Sequence, residues 1–329
     1  MMKIAVLGAG AWGTAVAINL AHKHPVALWA RSQAQCAAMS EKRENPRYLP
    51  GFGFAENLSV SADLADALHA AELVLLAVPI AALRETVRRA AAAHSKAPFV
   101  ALCKGFEPGT AKLAHEICVE ECGNGTRCGV LSGPSFAQEV ARGQPTAVTV
   151  ASASAEFARD AALALHSPNF RVYSSDDIVG VEVAGAVKNV IAIAAGISDG
   201  LDYGHNARAA LITRGLAEVT RLGVALGGRA ETFMGLAGAG DLILTCTGDL
   251  SRNRQVGLKL ARGQALETIL VDLGHVAEGV GTARELCGIA EARGIEMPIT
   301  RAVCKVLDDH RQARAAADAL LRREPKPER

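Results

Sequence analysis

The chain has 329 residues, half of them hydrophobic, and carries 35 Lys and Arg against 34 Asp and Glu, for a net charge near +1. This length exceeds the usual size of one hydrophobic core and therefore predicts two domains. The balanced charge gives no reason to expect a nucleic-acid partner or an anionic membrane surface. Eight scattered cysteines do not resemble the disulfide framework of a small secreted domain, so we expect a cytoplasmic protein.

A short apolar strand, a glycine-rich turn and a helix begin the chain. Residues 3–7 are apolar, and Gly8, Gly10 and Gly13 follow them at the spacing of a dinucleotide-binding turn. In such turns the first glycine permits the tight bend, the second lets the backbone approach a pyrophosphate, and the third lets the helix pack on the strand. The alternatives are a signal peptide over residues 4–21, which the glycines oppose, and a glycine-rich turn in an unrelated α/β protein.

The end of the second predicted strand, residues 26–30, bears on the choice of cofactor. NAD-binding folds usually place an acidic residue there for the ribose 2′-hydroxyl, whereas this chain has Arg31 and Ser32. A guanidinium suits a 2′-phosphate, so we predict NADP(H) as the preferred cofactor, with NAD(H) possible. The alternative is that Arg31 is a solvated surface charge.

Further strands and helices alternate up to residue 175. Apolar runs predict strands at 71–79, 98–105, 144–152 and 169–175, with a helix at 155–166. Lys104 ends the second of these strands, where open α/β sheets bind ligands, although a lysine there also simply marks the exit into solvent. Another strand precedes Ser135, which is either a helix cap or a ligand contact.

After Asp176 and Asp177 the pattern becomes almost entirely helical. The predicted helices cover residues 181–198, 206–226, 230–236, 253–262, 265–271, 278–293 and 299–309. We therefore predict an α/β, Rossmann-like N-terminal domain with a mostly parallel sheet over residues 1–180, followed by an all-α domain over 181–329. The charged, proline-rich residues 322–329 are expected to be a frayed, dispensable tail.

Lys188 interrupts the first of these helices, which is otherwise apolar. It falls beside the apolar face of the helix, where burial disfavours the ammonium form and lowers the pKa of a lysine. Such a lysine is a candidate proton donor near neutral pH. The alternative is a surface lysine whose stem lies over apolar residues while its charge reaches water.

A second polar cluster occupies residues 236–257. Asp241 precedes a short apolar turn, and Ser251, Arg252 and Asn253 open a helix. Hydroxyl, guanidinium and amide groups at a helix start form a natural phosphate site, although a capping serine beside a solvated arginine gives the same pattern.

No metal site is predicted. His115, Cys118, Cys122 and Cys128 lie close together in sequence, but their spacing matches no zinc motif.

Together these motifs resemble the NAD(P)-dependent glycerol-3-phosphate dehydrogenases of the bacterial cytosolic type. The matching segments run in the family's order along nearly the whole chain: GAGAWGT (8–14), CKG (103–105), LSGPSFAQE (131–139), EVAGAVKNVIAIAAGISDGL (182–201), GLAGAGDLILTCTGDLSRNR (235–254) and AEG (277–279). The resemblance implies reversible reduction of dihydroxyacetone phosphate to sn-glycerol 3-phosphate, which supplies phospholipid synthesis.

The resemblance also implies residue roles. The catalytic residues would be Lys188, Lys104 and Asp241. The substrate-binding residues would be Lys104, Gly133, Ser135, Lys188, Asn189, Asp241, Ser251, Arg252 and Asn253. The cofactor-binding residues would be Gly8, Gly10, Ala11, Trp12, Gly13, Arg31, Lys104, Ala137, Arg252, Val276 and Glu278.

Two positions depart from the family's pattern and concern the cofactor. Ala11 stands where many relatives have serine, and Arg31 replaces a frequent histidine.

The alternatives to this function are another β-hydroxyacid or sugar-phosphate dehydrogenase of the same architecture and a non-catalytic dinucleotide sensor. We expect a small-molecule substrate and a homodimer, since two-fold dimers are the commonest assembly. Beyond the N-terminus, no segment looks long and uncharged enough to span a membrane.

Overall fold

The computed structural model describes residues 1–93, 96–274 and 277–324. The chain forms two compact units. Unit 1 comprises Met1–Glu107 and Lys112–Glu182, and unit 2 comprises Pro108–Ala111 and Val183–Arg329. Most of the tail predicted to fray, residues 325–329, lies outside the described residues.

Unit 1 is built on an eight-stranded sheet. The strands of unit 1 are β1 (Ile4–Leu7), β2 (Val26–Trp29), β3 (Glu44–Asn45), β4 (Leu49–Gly53), β5 (Leu58–Ser61), β6 (Leu73–Leu76), β7 (Phe99–Ala101), β8 (Cys128–Ser132), β9 (Thr146–Ala151) and β10 (Phe170–Ser175). Strands β3 and β4 form a separate two-stranded sheet, and the other eight form the large sheet. The order in the large sheet is β10-β9-β8-β7-β6-β1-β2-β5. All neighbouring strands pair in parallel except β8 and β9, which are antiparallel.

Seven helices connect these strands. They are α1 (Ala11–Ala21), α2 (Gln33–Lys42), α3 (Leu64–Leu68), α4 (Ile80–Ala92), α5 (Ala114–Cys122), α6 (Ala137–Ala141) and α7 (Ala155–Leu165). The strands β1, β2 and β6 are buried at every position, as expected for parallel strands that lack a solvated face. This burial explains why they read as continuous apolar runs in the sequence.

Unit 2 is helical. The long helix α8 (Ile178–Gly200) begins in unit 1 and continues in unit 2. It is followed by α9 (Gly204–Ala225), α10 (Asp241–Thr247), α11 (Arg252–Ala261), α12 (Leu266–Leu273), α13 (Glu278–Ala292), α14 (Pro298–Asp308) and α15 (Ala313–Leu321). Two 3-10 turns (Ala230–Met234 and His310–Gln312) and a π-helical turn (Leu236–Gly240) lie between them.

The predicted fold class is confirmed, since a mostly parallel sheet with helices is followed by a helical region. The strand predicted at 98–105 is shorter in the structure: β7 ends at Ala101, so Lys104 lies in the loop three residues beyond the strand. The sequence pattern did not predict β5, α10, the small β3–β4 sheet or the helices α2, α3, α5 and α15. Strand β5 reads Leu-Ser-Val-Ser, and α10 has only seven residues, so neither carries a long periodic signal.

Helix α8 requires a second correction. Its length and mean hydropathy of 1.8 satisfy the requirements for a membrane span, contrary to the expectation that no such segment follows the N-terminus. However, 94% of its apolar window is buried inside the structure, which is typical of a core helix. Its apolar residues therefore pack against protein.

Helices α8 and α11 approach each other closely through glycines. A Cβ atom on Gly257 of α11 would lie 2.0 Å from the Ile193 carbonyl oxygen of α8. A Cβ atom on Gly196 of α8 would lie 2.0 Å from the Arg254 carbonyl oxygen. Only glycine permits this backbone contact, and it fixes the start of α11 against the middle of α8.

Candidate functional site

The three glycines of the first turn have different surroundings. Gly8 has φ +120°, and a Cβ there would lie 2.6 Å from the Ala77 carbonyl oxygen. A Cβ on Gly13 would lie 2.0 Å from the Gly8 carbonyl oxygen, so the helix packs directly on the turn. By contrast, no atom lies within 4 Å of a Cβ placed on Gly10. Gly10 also begins α1 without a side-chain cap. The turn thus presents open backbone at a helix N-terminus, which suits a pyrophosphate.

The cofactor residues predicted beside this turn lie at the start of α1. Ala11 and Trp12 are its first two residues, and both are partly exposed. Ala11 supplies no hydroxyl to a phosphate, so at this position the backbone N–H is the group available. The arrangement fits a dinucleotide held mainly by main-chain donors.

Arg31 lies just beyond β2 and is exposed. The hydroxyl of the next residue, Ser32, caps α2 by accepting a hydrogen bond from the Gln35 backbone N–H at 3.3 Å. A cavity of about 660 Å³ lies at this end of unit 1, lined by Gln33, Ala62, Asp63, Leu64, Ala65, Arg89, Ala92 and Ala93. Arg89 packs its guanidinium over the Trp29 ring of β2, 5.5 Å from the ring centre. Nothing in the sequence of α4 distinguishes Arg89 from other surface arginines.

Three further predicted residues lie in unit 1 after strands β7 and β8. Lys104 is partly buried. Gly133 has φ +143°, and a Cβ there would lie 2.9 Å from the Val148 Cα, so only glycine fits. The Ser135 hydroxyl donates a hydrogen bond to the Gly133 carbonyl at 2.9 Å. Helix α6 begins at Ala137 after Phe136, so Ser135 is not its cap.

In unit 2, Lys188 is buried and paired with Asp241. Lys188 is 7% exposed and Asp241 is 1% exposed. The Lys188 ammonium donates to the Asp241 carboxylate and, at 3.0 Å, to the Thr245 hydroxyl. The Thr245 hydroxyl in turn donates to the Asp241 carbonyl oxygen at 2.6 Å, one helical turn back. The snorkelling alternative for Lys188 is therefore wrong.

The electrostatics of this pair follow from its burial. Loss of water disfavours the ammonium of Lys188, while the adjacent carboxylate of Asp241 favours it. The charge-assisted hydrogen bond to Asp241 and the hydrogen bond to the Thr245 hydroxyl together fix the position of Lys188 Nζ. The result is a desolvated ammonium that is held in one orientation. Thr245 was missed by sequence reasoning, although it lies four residues after Asp241 on the same face of α10.

Asn189 and Asn253 join three helices beside the lysine. The Asn253 side-chain amide donates to Asn189 Oδ1 at 2.9 Å, and the Gly279 backbone N–H donates to Asn253 Oδ1 at 3.0 Å. The Asn189 amide donates to Glu278 Oε2 at 3.5 Å. These contacts bring α8, α11 and the start of α13 together. Val276, the neighbouring predicted cofactor residue, lies outside the described residues.

The predicted phosphate site occupies the start of α11. The Ser251 hydroxyl caps the helix by accepting from the Arg254 N–H at 3.3 Å, so its capping role is confirmed, and Arg252 is exposed. Arg254 is 9% exposed and donates through Nε to Asp199 of α8 and through Nη1 to Asp249, both at 2.9 Å. This buried arginine, also missed by sequence reasoning, ties the loop before α11 to α8.

The structure thus forms two hydrogen-bonded groups within unit 2, one joining Lys188 to Asp241 and the other joining Asn189 to Asn253 and Glu278. Lys188 and Asn189 are consecutive residues of α8. Among residues 1–93, 96–274 and 277–324, no group of three or more His, Cys, Asp or Glu side chains is arranged to hold a metal ion. The two hydrogen-bonded groups offer an ammonium, carboxylates and side-chain amides, and Arg252 lies at the N-terminus of α11. This combination suits proton transfer to a polar, anionic small molecule.

Two family models match the chain: the NAD-dependent glycerol-3-phosphate dehydrogenase N-terminus over residues 3–158 and the C-terminus over residues 177–318. The chain belongs to the NAD-dependent glycerol-3-phosphate dehydrogenase family. The resemblance found in the motifs is therefore confirmed over both units.

Similar proteins agree along the full length. The chain is 57% identical to a glycerol-3-phosphate dehydrogenase [NAD(P)+] of Nitrosospira multiformis, with 99% of each chain covered. It is 58% identical to the protein of the same name from Thiobacillus denitrificans, with 99% of this chain and 100% of the other covered. A crystal structure of glycerol-3-phosphate dehydrogenase from Coxiella burnetii superimposes with a TM-score of 0.94 at 42% identity, covering 98% of this chain and 99% of that one.

Proposed function

We propose that the protein reduces dihydroxyacetone phosphate at C2 to sn-glycerol 3-phosphate, reversibly, with NADPH preferred and NADH accepted. The observation that carries this proposal is the buried Lys188–Asp241 pair in a member of this dehydrogenase family. Reduction of a ketone requires a proton for its oxygen, and a desolvated ammonium held in place is a suitable donor.

The residues of unit 2 would bind and protonate the substrate. The nicotinamide, when bound, supplies the hydride. Lys188 donates its proton to the C2 oxygen as negative charge develops there, and it accepts that proton in the reverse direction. Asp241 and Thr245 keep Nζ in position, so little reorganisation is needed during the reaction. Lys104 stays a predicted catalytic and substrate-binding residue.

The dinucleotide would be held by unit 1. Gly8, Gly10 and Gly13 form the phosphate turn, and Arg31 is proposed to contact the 2′-phosphate. Lys104, Ala137, Arg252, Val276 and Glu278 remain predicted contacts of the cofactor.

Arg31 should set the preference between the two nicotinamide cofactors. Arg31→Ala removes a charge-assisted hydrogen bond worth about 1.5–3 kcal/mol, so the ratio of kcat/KM for NADPH over NADH should fall about 10-fold or more. Parallel assays with both cofactors measure this ratio. Arg159→Ala, an exposed arginine of α7, is the control and should leave it unchanged. An unaltered ratio in Arg31→Ala would place Arg31 outside the cofactor site.

The start of α11 is proposed to bind the substrate phosphate through Ser251, Arg252 and Asn253. Binding energy from this remote group can be used to align the ketone. Arg252→Ala should lower kcat/KM for dihydroxyacetone phosphate about 10- to 100-fold, because a bidentate guanidinium–phosphate contact is lost. Arg262→Ala, at the other end of the same helix, should have no effect. Equal losses in both variants would argue against a phosphate site here.

We also propose that the product serves phospholipid synthesis, that the protein acts in the cytoplasm and that it forms a homodimer. Glycerol 3-phosphate is the backbone of glycerophospholipids, and two-fold dimers are the commonest assembly. Light scattering on the purified protein measures the oligomeric state directly. A monomeric mass at assay concentration would contradict the dimer.

The reaction itself is tested by following NADPH oxidation on addition of dihydroxyacetone phosphate and identifying the product. We expect stoichiometric formation of sn-glycerol 3-phosphate. Cofactor binding without oxidation would instead favour a dinucleotide sensor.

A further inference from the structure

Two cysteines on consecutive helices of unit 2 face each other. Cys287 lies on α13 and Cys304 on α14, and their Sγ atoms are 2.8 Å apart. Both side chains are partly exposed. We propose that Cys287 and Cys304 form a reversible disulfide when the protein meets hydrogen peroxide. Neither residue belongs to the proposed active site, so the inference stands apart from the proposed function.

The geometry requires only a small movement. A disulfide bond is about 2.05 Å long, so the sulfurs need to approach by less than about 1 Å. Cys304 Sγ also contacts the Ala283 carbonyl oxygen at 3.2 Å, one turn before Cys287 on α13. This contact holds the Cys304 side chain against the face of α13 that carries Cys287.

The two thiols differ in acidity. The hydrogen bond between the two sulfurs lowers the pKa of Cys287 below its usual value, and the charge of Arg301 acts in the same direction, against burial and Glu291. The same hydrogen bond, together with burial, raises the pKa of Cys304. Since the thiolate is the reactive form, Cys287 would attack the oxidant and Cys304 would resolve the product.

Other cysteines of the chain are set up differently. Cys36, Cys118, Cys128 and Cys246 are buried. Burial raises the pKa of Cys128 to about 11 and that of Cys246 to about 12. Those four thiols are protonated and screened from a dissolved oxidant, so we expect peroxide to react with the 287–304 pair in preference to them.

The proposed chemistry balances in two steps. The Cys287 thiolate attacks one oxygen of hydrogen peroxide, the O–O bond breaks, and hydroxide leaves and takes up a proton to give water. Cys287 is then a sulfenic acid. The Cys304 sulfur attacks the Cys287 sulfur and forms the S–S bond, while the sulfenic hydroxyl leaves with the thiol proton as a second water. The two thiols together lose two electrons and two protons, and the peroxide is reduced.

Peptide mapping of the folded full-length protein tests this proposal. The reduced protein is treated with a small excess of hydrogen peroxide, quenched in acid, unfolded with an alkylating agent and digested with trypsin. Cleavage after Arg284, Arg293, Arg301 and Lys305 places the two cysteines on the separate peptides ELCGIAEAR and AVCK. We expect these peptides to appear linked, with the mass of two hydrogens missing, and to separate on reduction with dithiothreitol.

Two serine variants test the roles of the cysteines. After peroxide treatment, the Cys304→Ser variant should not form the link, and its Cys287 should react with a sulfenic-acid probe. In the Cys287→Ser variant, the remaining Cys304 should be recovered in alkylated form. Cys122→Ser, a partly exposed cysteine of unit 1, is the control and should form the link as the unchanged protein does. The proposal is overturned if the unchanged protein yields both peptides only in alkylated form after peroxide treatment, or if Cys287 links to a cysteine other than Cys304.

Discussion

Replacing Lys188 by alanine should lower kcat for dihydroxyacetone phosphate about 10²-fold or more, because the proton donor and the positive charge at the developing alkoxide are both removed. The same change leaves the Asp241 carboxylate, only 1% exposed, without its ammonium partner. Uncompensated buried charges typically cost about 3–5 kcal/mol. We therefore expect Lys188→Ala to lower the free energy of unfolding as well as kcat.

The two effects are separable. Lys188→Ala/Asp241→Ala removes the unpaired carboxylate, so this double variant should melt at a higher temperature than Lys188→Ala while remaining as inactive. Lys305→Ala, an exposed lysine of α14, is the control and should match the unchanged protein in kcat and in Tm. Steady-state kinetics and thermal unfolding measure both quantities. A folded Lys188→Ala variant with near-normal kcat would refute the assigned role.

Replacing Gly257 by alanine should destabilise the protein by about 3 kcal/mol or more, because the new Cβ overlaps backbone. It would lie 2.0 Å from the Ile193 carbonyl oxygen and 2.8 Å from the Ile197 nitrogen, so α8 and α11 must move apart. That movement displaces Asn253 from Asn189, and an error of about 1 Å in a site can cost about 10²-fold in rate. Chemical denaturation and kcat/KM report the two losses.

Gly281→Ala provides the matched control for Gly257→Ala. Gly281 also lies within a helix, α13, but no atom lies within 4 Å of a Cβ placed there. Alanine favours a helix over glycine by about 1 kcal/mol, so this variant should be as stable as the unchanged protein or slightly more stable. Equal destabilisation of both variants would show that the close packing of α8 on α11 at Gly257 is not what makes Gly257→Ala unstable.

The sequence predicted those features that rest on local pattern. The apolar runs of β1, β2 and β6 identified a parallel sheet, because such strands lack a polar face. The spacing of Gly8, Gly10 and Gly13 indicated the turn in which each glycine has its own steric role. The lysine in an apolar helix singled out Lys188 but left burial and a surface position both open, and the structure shows it buried beside Asp241.

Long-range side-chain contacts were beyond the reach of the sequence. Lys188 and Thr245 are 57 residues apart, and Arg254 meets Asp199 across 55 residues. No period or spacing within either segment encodes such a pairing, which depends on how α8, α10 and α11 pack. The loop position of Lys104 was missed for a related reason, since an apolar run does not record where the strand's hydrogen bonds end.

We propose that unit 2 binds a phosphorylated ketone at the start of α11 and protonates it from Lys188. A comparison of kcat/KM for dihydroxyacetone phosphate and for unphosphorylated dihydroxyacetone with NADPH, in the unchanged protein and in Arg252→Ala, tests this proposal. We predict a large preference for the phosphorylated substrate that collapses in Arg252→Ala, mainly through loss of activity with dihydroxyacetone phosphate. Equal activity of the unchanged protein with both substrates, or no oxidation of NADPH with either, would show that this site does not bind and reduce a phosphorylated ketone.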